Sequence, residues 1–369
     1  MNYYQILKIT GIILLIFSIF LSVPIIVSFM YEESTLGFIK SFFIILFVGL
    51  LFYFPNRGEK SHIRIKEGFL IVALFWIILS IFGSLPFLFE DNVKITIIDA
   101  IFESTSGWTT TGATIISDIE NLSKSILIYR QLLQWLGGIG IVVLVLAILP
   151  ILGVGGMYLY RAETSSPIKD NKLSPRITET AKNLWSVYLI LTISCAFFYY
   201  IAGMNIYDAV GHSFSTVSIG GFSTHNTSIG FYENDSIKII CMIFMFLSAL
   251  NFILHFLFYK NRSFRSYYNN SEFKTYVSII VSIILLSIIY LSNNSSNLAG
   301  IDILFQILSF VTTSGFTTTD YSSWPMFLIA IIFLSSFIGA CAGSAGGGIK
   351  VIRITIALKS IKKQLLKVV

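Results

Sequence analysis

Three aspartates each stand thirteen residues before a glycine in a short, uncharged segment. Asp99 leads to Gly112 in Thr110-Thr111-Gly112-Ala113. Asp208 leads to Gly221 in Ile219-Gly220-Gly221-Phe222, and Asp302 to Gly315 in Thr313-Ser314-Gly315-Phe316. With no charged side chain in these segments, the groups left to do chemistry are mainly backbone carbonyls. Rings of carbonyls can replace the water shell of a cation. Glycine permits the φ values that turn such carbonyls inward, and the small Thr and Ser side chains can support the strand. A single Thr-Gly pair is an ordinary turn. The common offset, with a long apolar run on either side of every copy, is the argument for a cation pore.

Roughly ten residues separate each Asp from its segment, whereas a spanning helix needs about 17–25. The spacing predicts short helices over 100–109, 209–217 and 303–311, N-capped by the aspartates and dipping into a membrane. Their C-terminal ends, each with about half a negative charge, would favour a cation at the centre. Non-helical backbone at that depth must line a watery cavity or be buried in protein.

The rest of the chain supplies the elements that hold these blocks. It is 55% hydrophobic and 12% charged, and its mean hydropathy is +0.81. Soluble domains carry about 25% charged residues, so the chain reads as a polytopic membrane protein. Spanning runs are expected near 9–30, 38–55, 69–89, 127–152, 183–203, 237–258, 275–292 and 326–341, followed by a basic segment over about 349–366. Twenty of the 25 Lys and Arg fall on one side of this topology, and 13 of the 19 Asp and Glu on the other. By the positive-inside rule the N-terminus is cytoplasmic and the three blocks face outward. An acidic outer mouth concentrates cations. The net charge of +6 reflects topology and gives no reason to expect a nucleic-acid partner.

A second glycine-rich stretch is Gly339 followed by Ala340, Cys341, Ala342, Gly343, Ser344, Ala345, Gly346, Gly347 and Gly348. A phosphate loop would need Lys and Ser/Thr at once after Gly348; Ile349 and Lys350 stand there instead. The stretch interrupts the helix after the third block. Broken helices at membrane depth mark pathways or hinges, so 340–348 reads as a gating loop, with a simple packing kink as the plainer alternative. Gly137, Gly138, Gly140, Gly153, Gly155 and Gly156 read as sites of close helix contact. Cys195, Cys241 and Cys341 have no metal spacing, and the four histidines form no ligand pair at helical spacing. No catalytic triad, paired carboxylates or metal set supports an enzyme, and no cofactor is expected.

At these residues the chain resembles the TrkH/KtrB/HKT superfamily of potassium transporters, most closely its bacterial TrkH and TrkG branch. The carrying motifs are Glu67 to Val72, Thr109 to Thr114, Tyr129-Arg130-Gln131, Ala147 to Met157, Gly211-His212-Ser213-Phe214, Ile219 to His225, and Cys341 to Arg353. The resemblance covers essentially the whole chain. It implies an all-α fold of repeated helix–pore-helix–helix units and potassium uptake across the bacterial inner membrane, with K+ as the transported ion. It also implies a homodimer with one pore per subunit, on a cytosolic ring of TrkA-type nucleotide-binding subunits. In the family the segment matching 340–348 is the intramembrane gate.

The expected organisation is two N-terminal helices over 1–60, then repeats over 61–165, 166–268 and 269–369. The family has four repeats; three are read here, and a three-sided filter would leave carbonyls facing lipid at several kcal/mol per group. The expectation is that these 369 residues do not conduct alone, or form a non-conducting or regulatory remnant.

Overall fold

The computed structural model describes residues 3–58, 65–90, 93–138, 140, 177–294 and 299–368. The motif over 147–157, with Gly153, Gly155 and Gly156, and the expected repeat boundary at 165 lie outside these residues. Among the described residues all regular structure is helical. Among the described residues five helices are long and apolar enough to cross a membrane, or six if one bent pair is a single span. The protein is an all-α polytopic membrane protein whose residues fall into two compact units, Met1–Ser186 and Val187–Val369.

The first unit holds α1 (Tyr3–Phe20), α2 (Ser22–Met30), α3 (Leu36–Tyr53), α4 (Ile65–Gly83), α5 (Leu85–Phe89), α6 (Ile97–Trp108) and α7 (Lys124–Gly138). α1 and α3 cross closely because Gly11 has no side chain. A Cβ there would lie 2.7 Å from the Tyr53 nitrogen and 2.8 Å from the Gly49 oxygen, a small-residue contact of the kind that joins helices in lipid. Around α6, Phe17 and Phe75 meet Trp108 edge-on, with ring centroids 5.2 and 6.3 Å away. Gly137 lets α7 approach so closely that a Cβ would overlap the Trp108 carbonyl. The Glu33 carboxylate accepts from the Lys124 and Ser125 nitrogens at 2.6 and 2.9 Å, fixing the start of α7.

The second unit contains most of α8 (Ile177–Ile201), then α9 (Ile206–Val217), α10 (Asp235–Ser248), α11 (Phe252–Asn261), α12 (Ser271–Asn294), α13 (Gly300–Thr312), α14 (Met326–Ser336) and α15 (Val351–Val368). Its core joins Ile219, Leu250, Tyr276, Ile307, Leu328 and Cys341. The run 237–258, expected as one span, is instead α10 and α11 bent by 93°. Asn251 caps the second piece by accepting from the Ile253 nitrogen at 2.9 Å. Hydropathy does not register such a break, because both arms are apolar.

α6, α9 and α13 are the three short helices expected from the repeats, but the aspartates are not their N-caps. Thr96 and Asn205 cap α6 and α9, accepting from the nitrogens of Asp99 and Asp208. Those aspartates sit at the third helical position: Asp99 completes a capping box by accepting from the Thr96 nitrogen at 3.1 Å, and Asp208 accepts from the Asn205 side-chain amide at 2.7 Å. On α13 the cap is Ala299 without a side-chain bond, and Asp302 pairs with Lys238 at 3.1 Å.

Candidate functional site

The three segments after α6, α9 and α13 fold alike. Counted from each Asp, the residue at position eleven has left-handed φ: Thr110 at 52°, Ile219 at 57° and Thr313 at 69°. So does the glycine at position thirteen: Gly112 at 75°, Gly221 at 80° and Gly315 at 82°. The nitrogens at position twelve, of Thr111, Gly220 and Ser314, donate to the carbonyls of Ser106, Ser215 and Ser309 at 2.9, 2.8 and 2.8 Å. Those at position eleven donate to Gly107, Thr216 and Phe310 at 3.0–3.1 Å.

This pair of hydrogen bonds is the Schellman helix ending, whose left-handed position is usually glycine. Here it is β-branched in all three copies. A β-branched residue at positive φ is a genuine outlier, and such backbone costs of order 1–3 kcal/mol and gathers at functional sites. Sequence reading included Thr110, Ile219 and Thr313 in the three segments but did not foresee their left-handed backbone, because Thr and Ile do not advertise such a turn.

The continuing residues differ in their support. Ser106 and Ser309 donate to the carbonyls of Ala113 and Phe316 at 2.6 and 2.7 Å. Ser215, at the same position of the second copy, has a buried hydroxyl with no such bond. Phe222 and Phe316 are buried. Tyr232, in the loop that follows the second copy, has its phenol pushed up by burial, and the charge of Asp208 adds to this.

The stretch 340–348 is irregular, with left-handed φ at Gly339, Gly343 and Gly348, and at Lys350 beyond them. It lies against the second and third turns. The Gly347 nitrogen donates to the Thr313 hydroxyl at 2.8 Å. A Cβ on Gly346 would sit 2.8 Å from the Thr312 carbonyl and 3.4 Å from Ile219 Cδ1. On the other side the Cys341 nitrogen donates to the Ala249 carbonyl, and the Phe252 nitrogen to that of Gly343, both at 3.0 Å. The loop is therefore bonded to the α10–α11 bend. The Ala342 nitrogen donates to Glu272 Oε1 at 2.7 Å; Ser344 Oγ donates to the Cys341 carbonyl, and Lys350 Nζ to that of Gly346. Ala340 is buried and Ala345 half-buried in the same packing. Glu272, Ala249 and Phe252 were not legible as loop partners from the sequence, since all precede the loop by some 70 residues or more.

Among the described residues no cluster of three or more His, Cys, Asp or Glu could hold a metal ion.

The family described as TrkH, cation transport protein, matches residues 35–368. The chain is 47% identical over 363 residues to the Trk system potassium uptake protein TrkH of Vibrio parahaemolyticus, covering 96% of this chain and 75% of that protein. Against the TrkH of Escherichia coli K12 it is 46% identical over 374 residues, covering all of this chain and 77% of the relative. The TrkG protein of the same strain is 36% identical over 359 residues, covering 96% and 74%. The crystal structure of the potassium transporter TrkH from Vibrio parahaemolyticus superposes with a TM-score of 0.88 at 44% identity, covering all of this chain and 77% of that one.

Proposed function

Because the chain belongs to the TrkH family of cation transport proteins, we propose that it is the membrane-spanning subunit of a Trk-type potassium uptake system. It is a transporter and not an enzyme, and needs no bound cofactor. Potassium passes over the carbonyls of Thr110 to Ala113, Ile219 to Phe222 and Thr313 to Phe316. The observation that carries this reading is the recurrence of one backbone path in all three repeats, although their residues at positions eleven and twelve differ. Left-handed residues at alternate positions turn peptide planes over, so that successive carbonyls can face one side instead of alternating as in a strand. Selection by carbonyl geometry needs no charged side chain.

The loop 340–348 serves as the gate. Its position against Thr313, Thr312 and Ile219 supports this role. The chain works as a homodimer in the bacterial inner membrane, with a cytoplasmic N-terminus, on a TrkA-type nucleotide-binding ring. Its organisation is two leading helices over 1–60 and repeats over 61–165, 166–268 and 269–369.

The test is cation uptake by potassium-transport-deficient cells expressing the chain completed with a fourth pore repeat, the background of every uptake measurement below. Gly112→Ser and Gly315→Ser force a side chain into left-handed backbone, at about 1–2 kcal/mol. Both should lower the preference for potassium over sodium before they lower membrane abundance. An unchanged preference in both variants rejects the filter assignment.

A further inference from the structure

Position four of each short helix, counted from the Asp, is Glu103, His212 and Gln306. All three side chains are fully buried. Two of them reach the residue at position fifteen, just past the filter turn. Thr114 Oγ1 donates to the Glu103 carboxylate at 3.0 Å, and the Ile115 nitrogen donates to Glu103 Oε2 at 3.3 Å. His212 Nε2 lies 2.9 Å from Ser223 Oγ. Its other nitrogen, Nδ1, lies 2.9 Å from the Asp208 carbonyl. A carbonyl only accepts, so Nδ1 carries the proton and Nε2 accepts from the serine. Gln306 Nε2 donates to the Thr319 carbonyl at 3.5 Å, two residues further along.

Resting on the filter reading above, we propose that Glu103, His212 and Gln306 are equivalent positioning residues, each a brace that fixes the strand leaving its filter turn. The physical need is plain. The turn stores strain at position eleven, and strained backbone persists only where its surroundings over-determine it. The Schellman bonds hold the inner side of the turn; a buried polar side chain from the same helix holds the outer side. Carboxylate and imidazole each offer an acceptor to the hydroxyl at position fifteen, while the amide reaches two residues further along by a longer bond. The braces are themselves held in place. Arg130 Nε donates to Glu103 Oε1 at 2.7 Å, and His212 packs beside His225, Tyr232 and Phe316, with ring centroids 5.7–6.3 Å away.

The decisive variants remove the strand's hydroxyl and leave the braces intact. Thr114→Val is nearly isosteric and Ser223→Ala deletes one atom. Each should lower the rubidium-to-sodium uptake ratio about threefold, the scale of one hydrogen bond, at unchanged membrane abundance. His212→Gln, which copies the third repeat, should keep more of the ratio than His212→Leu. Amide hydrogen exchange on the purified full chain reads the brace without any flux: peptides over 109–116 in the first variant and 218–225 in the second should exchange faster, with the spanning helices unchanged. If Gly112→Ser lowers the ratio while Thr114→Val and Ser223→Ala change neither ratio nor exchange, the braces are overturned and the filter stands. If no variant, Gly112→Ser included, moves the ratio, the filter reading falls and the proposal with it.

Discussion

Gly347 donates its backbone N–H to the hydroxyl of Thr313 at 2.8 Å, so the glycine-rich loop is tied to the residue that opens the third left-handed turn, the one proposed above as part of the filter. Thr313→Val keeps the branched shape and removes the acceptor. We expect faster rubidium uptake, by about two- to tenfold for one lost hydrogen bond, with the potassium preference intact. Equal rates in the variant and the parent would show that this tether does not restrain the loop.

Deleting Ser344 to Gly347 removes the contacts to Thr312, Thr313 and Ile219 together. Flux should rise and depend less on the cytosolic nucleotide-binding subunit, while selectivity survives because the filter turns keep their own bonds. Loss of selectivity with regulation intact would place the loop in the filter.

Thr110 holds φ at 52°, where a side chain costs about 1–2 kcal/mol and glycine costs nothing. Glycine loses about 0.5–1 kcal/mol to chain entropy elsewhere. Thr110→Gly should therefore be at least as stable as Thr110→Ala, reversing the usual order. Thermal unfolding of the two detergent-solubilised variants, side by side, decides it.

Glu103 and Arg130 form an ion pair with side chains 0% and 1% exposed. Glu103→Ala removes the carboxylate and should cost about 3–5 kcal/mol, the range for breaking a buried pair from one side. Adding Arg130→Met should recover part of that loss. A double variant no more stable than Glu103→Ala would mean that Arg130 draws its support from elsewhere.

Much of the fold was legible because membrane helices are written in hydropathy. The spans near 38–55, 69–89 and 183–203 match helices at Leu36–Asn56, Leu70–Phe89 and Lys182–Ile201. The short helices were legible from length alone. What hydropathy could not carry was the hydrogen bonding at their ends. Asp99 and Asp208 looked like caps and instead complete caps made by Thr96 and Asn205. The bend at 249–251 joins two apolar arms, so nothing in composition marks it; only the Asn251 cap does, and Asn is also a common residue in plain loops. At the site, Gly112, Gly221 and Gly315 were visible because glycine is rare without reason inside a strand. The matching left-handed turns at Thr110, Ile219 and Thr313 were hidden under residues that normally avoid them.

On the proposal that the loop is the gate, the bonds between it and its surroundings set the work that opening must do. Four of them tie it to earlier parts of the chain: Cys341 to Ala249, Phe252 to Gly343, Ala342 to Glu272 and Gly347 to Thr313. At a net ~1 kcal/mol each, their joint loss comes to ~4 kcal/mol. Left alone, the loop would then stand open in about one molecule in a thousand. A cytosolic partner could open half of the molecules only by binding the open form about a thousand times more tightly than the closed one. Because two of the four bonds end on the α10–α11 bend, that work need not be applied to the loop itself. Straightening the 93° elbow would release half of it from a distance.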